Sequence, residues 1–217
     1  MDTVSINLKK SSIFRKINRI FIVFIFFPIM VYAQPELIAI QLLDITNHQE
    51  PVINIINLKI DQSWHSGKYE KIFPLFYLVT CLDPYDEEAW ATGGWFLINC
   101  IAPSKSPSER KKIKMQGLDF LKQGLKYNPE TYRLYWEIAW VYYMWGDFET
   151  SLKYLDSAIN YEHPFYVENT RAHVLEKLGR IDDAIKQWKE IKYKFPEMKY
   201  VAERFITNLE KQKTNAQ

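Results

Sequence analysis

The sequence predicts an all-α chain of repeated helical hairpins, an α-solenoid. Three observations carry that prediction. From about Pro51 onward apolar residues recur at intervals of three and four, and no strictly alternating stretch lasts long enough for a strand. Glycine and proline punctuate these runs at a nearly fixed interval: Gly67 to Pro84, Gly146 to Pro164 and Gly179 to Pro196 span almost the same length of chain. Such a period places glycine in a tight turn inside each hairpin and proline at the hairpin's end. Composition agrees, because 217 residues with 47% hydrophobic and 25% charged side chains suit one globular domain. Seven glycines against 34 aromatic residues argue against a turn-rich barrel or a glycine-lined nucleotide site.

The segment from Met1 to Ala33 reads as a secretory signal. Lys9, Lys10, Arg15, Lys16 and Arg19 precede an uncharged run from Ile20 to Tyr32, and Val31-Tyr32-Ala33 offers small residues before Gln34. The alternative is an uncleaved membrane anchor, but a span of ~30 Å needs about 20 apolar residues, and Gln34-Pro35-Glu36 interrupts this run earlier. Cleavage after Ala33 and export to a bacterial periplasm or cell envelope, or secretion, are expected; without cleavage the chain would be membrane-anchored. The basic surplus belongs to this segment: from Gln34 onward there are 23 basic and 25 acidic residues. Nucleic acid is therefore not an expected partner, since binding it needs a surplus of Lys and Arg.

Residues 34–52 are expected to form a helical lead-in, and four units to follow at 53–86, 87–131, 132–164 and 165–198. In the first, Gly67, Ile72, Phe76, Val79 and Pro84 keep the period. Lys59, Ile60 and Pro74 do not suit it, so a displaced first helix or a kinked second one is expected. The second contains Trp90, Gly93, Gly94 and Leu97, then Gly117, Leu121, Gly124 and Pro129. It is longer than the others by an insert between Cys100 and Glu109, where Pro103-Ser104-Lys105-Ser106-Pro107-Ser108 predicts a surface loop. The third offers Tyr135, Ile138, Ala139, Tyr142, Gly146, Ser151, Leu155 and Ala158; the fourth offers Ala172, Leu175, Gly179, Ala184, Trp188 and Pro196. Residues 199–217 supply a capping helix and tail.

In this register the chain resembles the tetratricopeptide repeat family, whose 34-residue helix-turn-helix unit favours particular residues at offsets 4, 7, 8, 11, 15, 20, 24, 27 and 32. The resemblance implies a right-handed solenoid and places Gly94, Ala139 and Ala172 where the two helices of a unit cross most closely. It also implies that first helices line a concave groove through offsets 2, 5, 9, 12 and 13. Read at those offsets, the groove residues are Trp64, Trp95, Ile98, Trp136, Trp140, Tyr143, Tyr166, Asn169 and His173. The family's carboxylate clamp needs a Lys and Asn pair that is absent, Asn57 with Asp61 being the nearest approach, so an apolar or aromatic-bearing peptide is the expected ligand.

Chemistry is sparse. The four histidines and two cysteines fall in no nucleophile or metal pattern; Asp61 and His65 are one turn apart, as on many polar helix faces. No catalytic residue, cofactor or metal is expected. Cys81 and Cys100 are expected to remain separate thiols, since a disulfide needs Cα atoms within about 7 Å and antiparallel packing holds them roughly 15 Å apart. The cluster Lys105, Arg110, Lys111, Lys112 and Lys114 reads as a solvated outer face. The expected function is an exported, non-enzymatic module that holds a peptide or partner subunit against the aromatic stripe. The alternatives are a self-associating assembly protein of the cell envelope and, further off, a cryptic enzyme.

Overall fold

The computed structural model describes residues 49–215, so the signal segment and the lead-in up to residue 48 lie outside the described residues, as do residues 216–217. The chain divides into two units, Met1–Ile55 and Ile56–Gln217, and the repeats belong to the second. Every regular element among the described residues is helical: α1 Gln49–His65, α2 Ile72–Leu82, α3 Glu87–Phe96, α4 Pro107–Tyr127, α5 Tyr132–Trp145, α6 Phe148–Ala158, α7 Phe165–Lys177, α8 Ile181–Lys194 and α9 Lys199–Asn215. From α2 to α9 each helix packs on the next in sequence, and α3, α5 and α7 also pack side by side. This is an all-α solenoid of helical hairpins.

The turns inside the hairpins have one chemistry. Gly67, Gly146 and Gly179 have φ of 67°, 79° and 71°, a region closed to most side chains. In each case the following N–H reaches back to a carbonyl near the end of the preceding helix: Lys68 to Ser63 at 2.9 Å, Asp147 to Tyr142 at 3.0 Å and Arg180 to Leu175 at 3.0 Å. Those bonds satisfy carbonyls that the end of a helix would otherwise leave unpaired. Asp147 then starts α6, its carboxylate accepting from the Thr150 N–H at 3.0 Å. Between hairpins, proline carbonyls serve as fixed acceptors. Pro84 takes the Trp90 indole N–H at 2.9 Å and the Asn128 amide at 3.1 Å, and Pro129 takes the Tyr161 hydroxyl at 2.9 Å.

Small residues set the helix crossings. A Cβ on Gly94 would lie 2.5 Å from Leu121 Cγ and 3.1 Å from the Gly117 carbonyl; one on Gly124 would lie 2.5 Å from Trp90 Cγ. In the third hairpin the crossing is Ala139, fully buried, whose carbonyl accepts the Ser151 hydroxyl at 2.8 Å. Ala172 and Ala184 are likewise fully buried. The last hairpin is closed by α9, whose Phe205 stacks on Trp188 with centroids 4.4 Å apart.

Two expectations need correction. The excess in the second unit is not a loop. Helix α3 runs on through a π turn, Leu97–Ile101, and a 3₁₀ turn, Ala102–Ser104, and α4 then begins at Pro107. The prolines permit this because Pro103 and Pro107 each stand at the start of a helical segment, where the missing N–H would be unpaired anyway. Ser106 and Glu109 fix the start of α4, the Glu109 carboxylate accepting from the Ser106 hydroxyl at 2.5 Å and its N–H at 3.3 Å. Pro74, for the same reason, lies harmlessly in the first turn of α2. The first unit is nonetheless atypical: Ile56 alone among the side chains of α1 is buried, and Leu58 is 62% exposed. Cys81 and Cys100 are both free thiols.

Gly94→Ala should therefore destabilise more than Gly67→Ala. The first overfills a crossing, at a cost of about 1–3 kcal/mol, whereas nothing lies within 4 Å of a Cβ on Gly67, so only its positive φ opposes the change, at ~1 kcal/mol. Thermal melts of the two variants measure the order, and equal or reversed shifts would contradict this packing.

Candidate binding groove

The side-by-side first helices α3, α5 and α7 carry the aromatic residues singled out from the sequence, all but Trp64. On α5 the i, i+4 spacing stacks Trp136 on Trp140, centroids 5.9 Å apart at 20°, and the i, i+3 spacing stacks Trp140 on Tyr143 at 5.3 Å and 21°. Helix α7 joins them: Tyr166 meets Trp136 edge-on at 4.8 Å, and the Trp136 indole donates to the Thr170 hydroxyl at 3.0 Å. Tyr166 also donates through its hydroxyl to Tyr132 at 3.3 Å. Trp95 on α3 is 38% exposed. Trp64, at the end of α1, is 42% exposed and lies edge-on to Phe96 at 6.1 Å.

Two open clefts share the wall formed by Trp95, Glu137 and Trp140. One, of about 270 Å³, is completed by Thr92, Arg133 and Trp136. The other, of about 310 Å³, is bounded by Pro103, Arg110 and Lys114 on one side and by Val141, Met144 and Trp145 on the other. Arg110, which is exposed, and Lys114, which is half-buried, thus also line the rim of a cleft. Their neighbours Lys105, Lys111 and Lys112 are exposed.

The structure parts from the offset reading at two residues. Ile98 is 7% exposed and belongs to the core around Leu118, Leu121 and Ile138, although it contributes to the lining of the second cleft. The π turn that starts at Leu97 inserts a residue into the helical register, and later positions are rotated relative to a regular helix. His173 lies between Trp188, at 5.2 Å, and Phe205, at 4.9 Å, with Glu176 3.4 Å from its Nδ1. The capping helix α9 reaches it first. Asn169 is half-buried, and its Oδ1 is sealed from solvent without a hydrogen-bond partner.

Two groove residues escape the sequence reading. Arg133 and Glu137 are one turn apart on α5 and form an ion pair of 3.2 Å at the floor of the first cleft. Arg133 also lies 3.7 Å from Glu88 and 5.9 Å from the Trp136 ring centroid. Offset 2 in the third and second units names Arg133 and Glu88; a reading weighted to aromatics passes over them. Glu137 is 3% exposed, and burial pushes its carboxyl up to about 7, Arg133 offsetting only part of that effect. No group of three potential metal-ligating side chains gathers among the described residues, and none of the described helices is long and apolar enough to cross a membrane.

No family model and no curated protein matches this chain. Solved structures do. It is similar to TTC0263, described as a thermophilic TPR protein in Thermus thermophilus, with 14% identity over 79% of this chain and 95% of that one, at a TM-score of 0.57. It is similar to YrrB, described as a TPR protein with an unusual peptide-binding site, with 17% identity over 76% and 77% of the two chains, at 0.54. It is also similar to MamA, with 15% identity over 73% and 86%, at 0.51. At these identities the likeness is one of fold, and the fold is of the tetratricopeptide type.

The Glu137 carboxyl makes stability depend on pH. Because its folded value, about 7, lies above the ordinary 4.5, the folded chain keeps a proton through that window which the unfolded chain has released. Stability is therefore greatest below the window and declines as pH rises through it, by about 1–3 kcal/mol at ~1.4 kcal/mol per pKa unit. Urea unfolding at pH 5 and pH 8 measures the decline. Glu137→Gln should flatten it, and an unchanged slope would place the titration elsewhere.

Proposed function

We propose that this chain is a non-catalytic protein-binding module that holds a peptide or partner segment against the aromatic band of α3 and α5. The observation that carries the reading is the open pair of clefts walled by Trp95, Trp136 and Trp140. Large aromatic side chains left accessible in a row are enriched where binding energy concentrates, because they supply much contact area at little entropic cost. The fold supports the same reading, and one structure of similar fold is described as having a peptide-binding site. We further propose that the protein acts outside the cytoplasm, on the strength of the basic and then apolar segment before Gln34. Intact mass of the exported chain should show loss of everything before Gln34, and a full-length species would contradict cleavage after Ala33.

The two tryptophans of α5 should differ when truncated. Trp136 is tied to α7 through Thr170, so its loss should reduce both stability and binding. Trp140 has ring contacts within α5 only. Trp140→Ala should cost at least ~2 kcal/mol of partner binding, roughly thirtyfold, with little change in melting temperature. Trp188→Ala, which empties a fully buried site, should instead lower the melting temperature sharply. Partner capture and thermal melts of the variants, run in parallel, test the assignment; a Trp140→Ala variant that melts early but captures normally would overturn it. Light scattering across concentration separates a foreign partner from a second copy, because self-association through the band would make the mass rise with concentration.

A further inference from the structure

The second cleft has two chemically different sides. Trp95, Trp140, Met144 and Trp145 supply an apolar surface, while Arg110 and Lys114 stand on the opposite rim at the start of α4. The charges already present do not cancel that rim. Glu137, the cleft's carboxylate, is paired with Arg133 at 3.2 Å, and Glu109 is occupied by Ser106. Arg110 is held in place, since its Nη2 donates to the carbonyls of Pro103 and Lys105, both at 3.2 Å. A guanidinium has five donors in a fixed fork, so these two bonds immobilise it and leave others for a ligand. Lys114 is half-buried beside it and forms no hydrogen bond or ion pair with another side chain.

The geometry points to a peptide that carries an acidic side chain close to a bulky apolar one, the acid held by Arg110 and Lys114 and the apolar residue by Trp95 and Trp140. This rests on the groove reading above and specifies its ligand. The two clefts share Trp95, Glu137 and Trp140, so a peptide seated with its acid at Arg110 and Lys114 has room to continue along the tryptophans. The selectivity originates in the longer second repeat: without the π turn and the extra turns at the start of α4, neither Pro103 nor Arg110 would stand opposite Trp140.

The test uses the full chain and two peptides blocked at both ends, acetyl-Asp-Asp-Phe-Leu-amide and its neutral twin acetyl-Asn-Asn-Phe-Leu-amide, titrated by calorimetry. The acidic peptide should bind about tenfold more tightly at low salt, and added salt should narrow the gap. Lys114→Glu should abolish the preference while sparing the neutral peptide. Lys111→Glu, the same change of charge on an exposed neighbour outside the cleft, should leave most of it. Equal affinity for the two peptides, or equal losses in the two lysine variants, overturns the acidic specificity while leaving the groove reading in place. Binding of both peptides that survives Trp140→Ala overturns the groove reading itself, and failure of both peptides to bind overturns both readings.

Discussion

The close approach of two helices at residues without bulk is the constraint on which this structure depends. At Gly94 the facing Leu121 side chain stands nearer than a Cβ tolerates and the Gly117 carbonyl leaves only a tight fit, so the backbones of α3 and α4 are drawn together. Ala139 and Ser151 serve the same end one hairpin later, with a hydroxyl bond satisfying a carbonyl exposed by the crossing. The space the glycines leave is filled by the large side chains that face them, Leu121 over Gly94 and Trp90 over Gly124. Leu134 and Ile138 of α5 join the same core and bind the second hairpin to the third. Trp140 on α5 has no place in that core and is left lining the clefts.

Most of the fold is legible in the sequence because its punctuation is physical. Gly67, Gly146 and Gly179 each take a left-handed backbone conformation, and a helix of L-residues that must end in a tight turn has few other ways to do so. The proline boundaries are equally informative, though their role is broader than ending a helix: the carbonyls of Pro84 and Pro129 bind one hairpin to its neighbour. Pro103 and Pro107 are where the sequence misleads. A cluster of proline and serine reads as a loop when proline is treated only as a breaker, yet both prolines begin helical segments, and Ser106 caps the second. Position relative to the helix start decides between the two outcomes, and composition does not carry it.

The candidate site is legible to the extent that the helices are regular. Trp95, Trp136, Trp140, Tyr143 and Tyr166 lie on one face because a 3.6-residue turn repeats faithfully along α3, α5 and α7. Ile98 is misplaced by that rule because the π turn breaks the repetition directly after Phe96, and no local composition signals a π turn. His173 is misplaced for a different reason. Its helical position is regular, but α9 stands where a further first helix would, and Phe205 covers the ring. Arg133 falls to the same periodicity that finds the tryptophans, since charged residues obey it equally, whereas Glu137 stands between groove positions and is reached only through its ion pair with Arg133.

The ion pair at the groove floor bears on what the aromatic band offers a ligand. A carboxylate as buried as Glu137 is costly to ionise, and its attraction to Arg133 returns only part of that cost, which is why the carboxyl is pushed up to about 7. An apolar pair in the same place would leave the first cleft walled by apolar groups almost alone. The ion pair gives it a polar edge: the Arg133 side chain remains 24% exposed and lies beside the Trp136 ring, where cation and ring face attract. Trp136 is in turn stacked on Trp140 and bonded to Thr170. A ligand therefore meets aromatic walls already in position, and little of its binding energy is lost in ordering them.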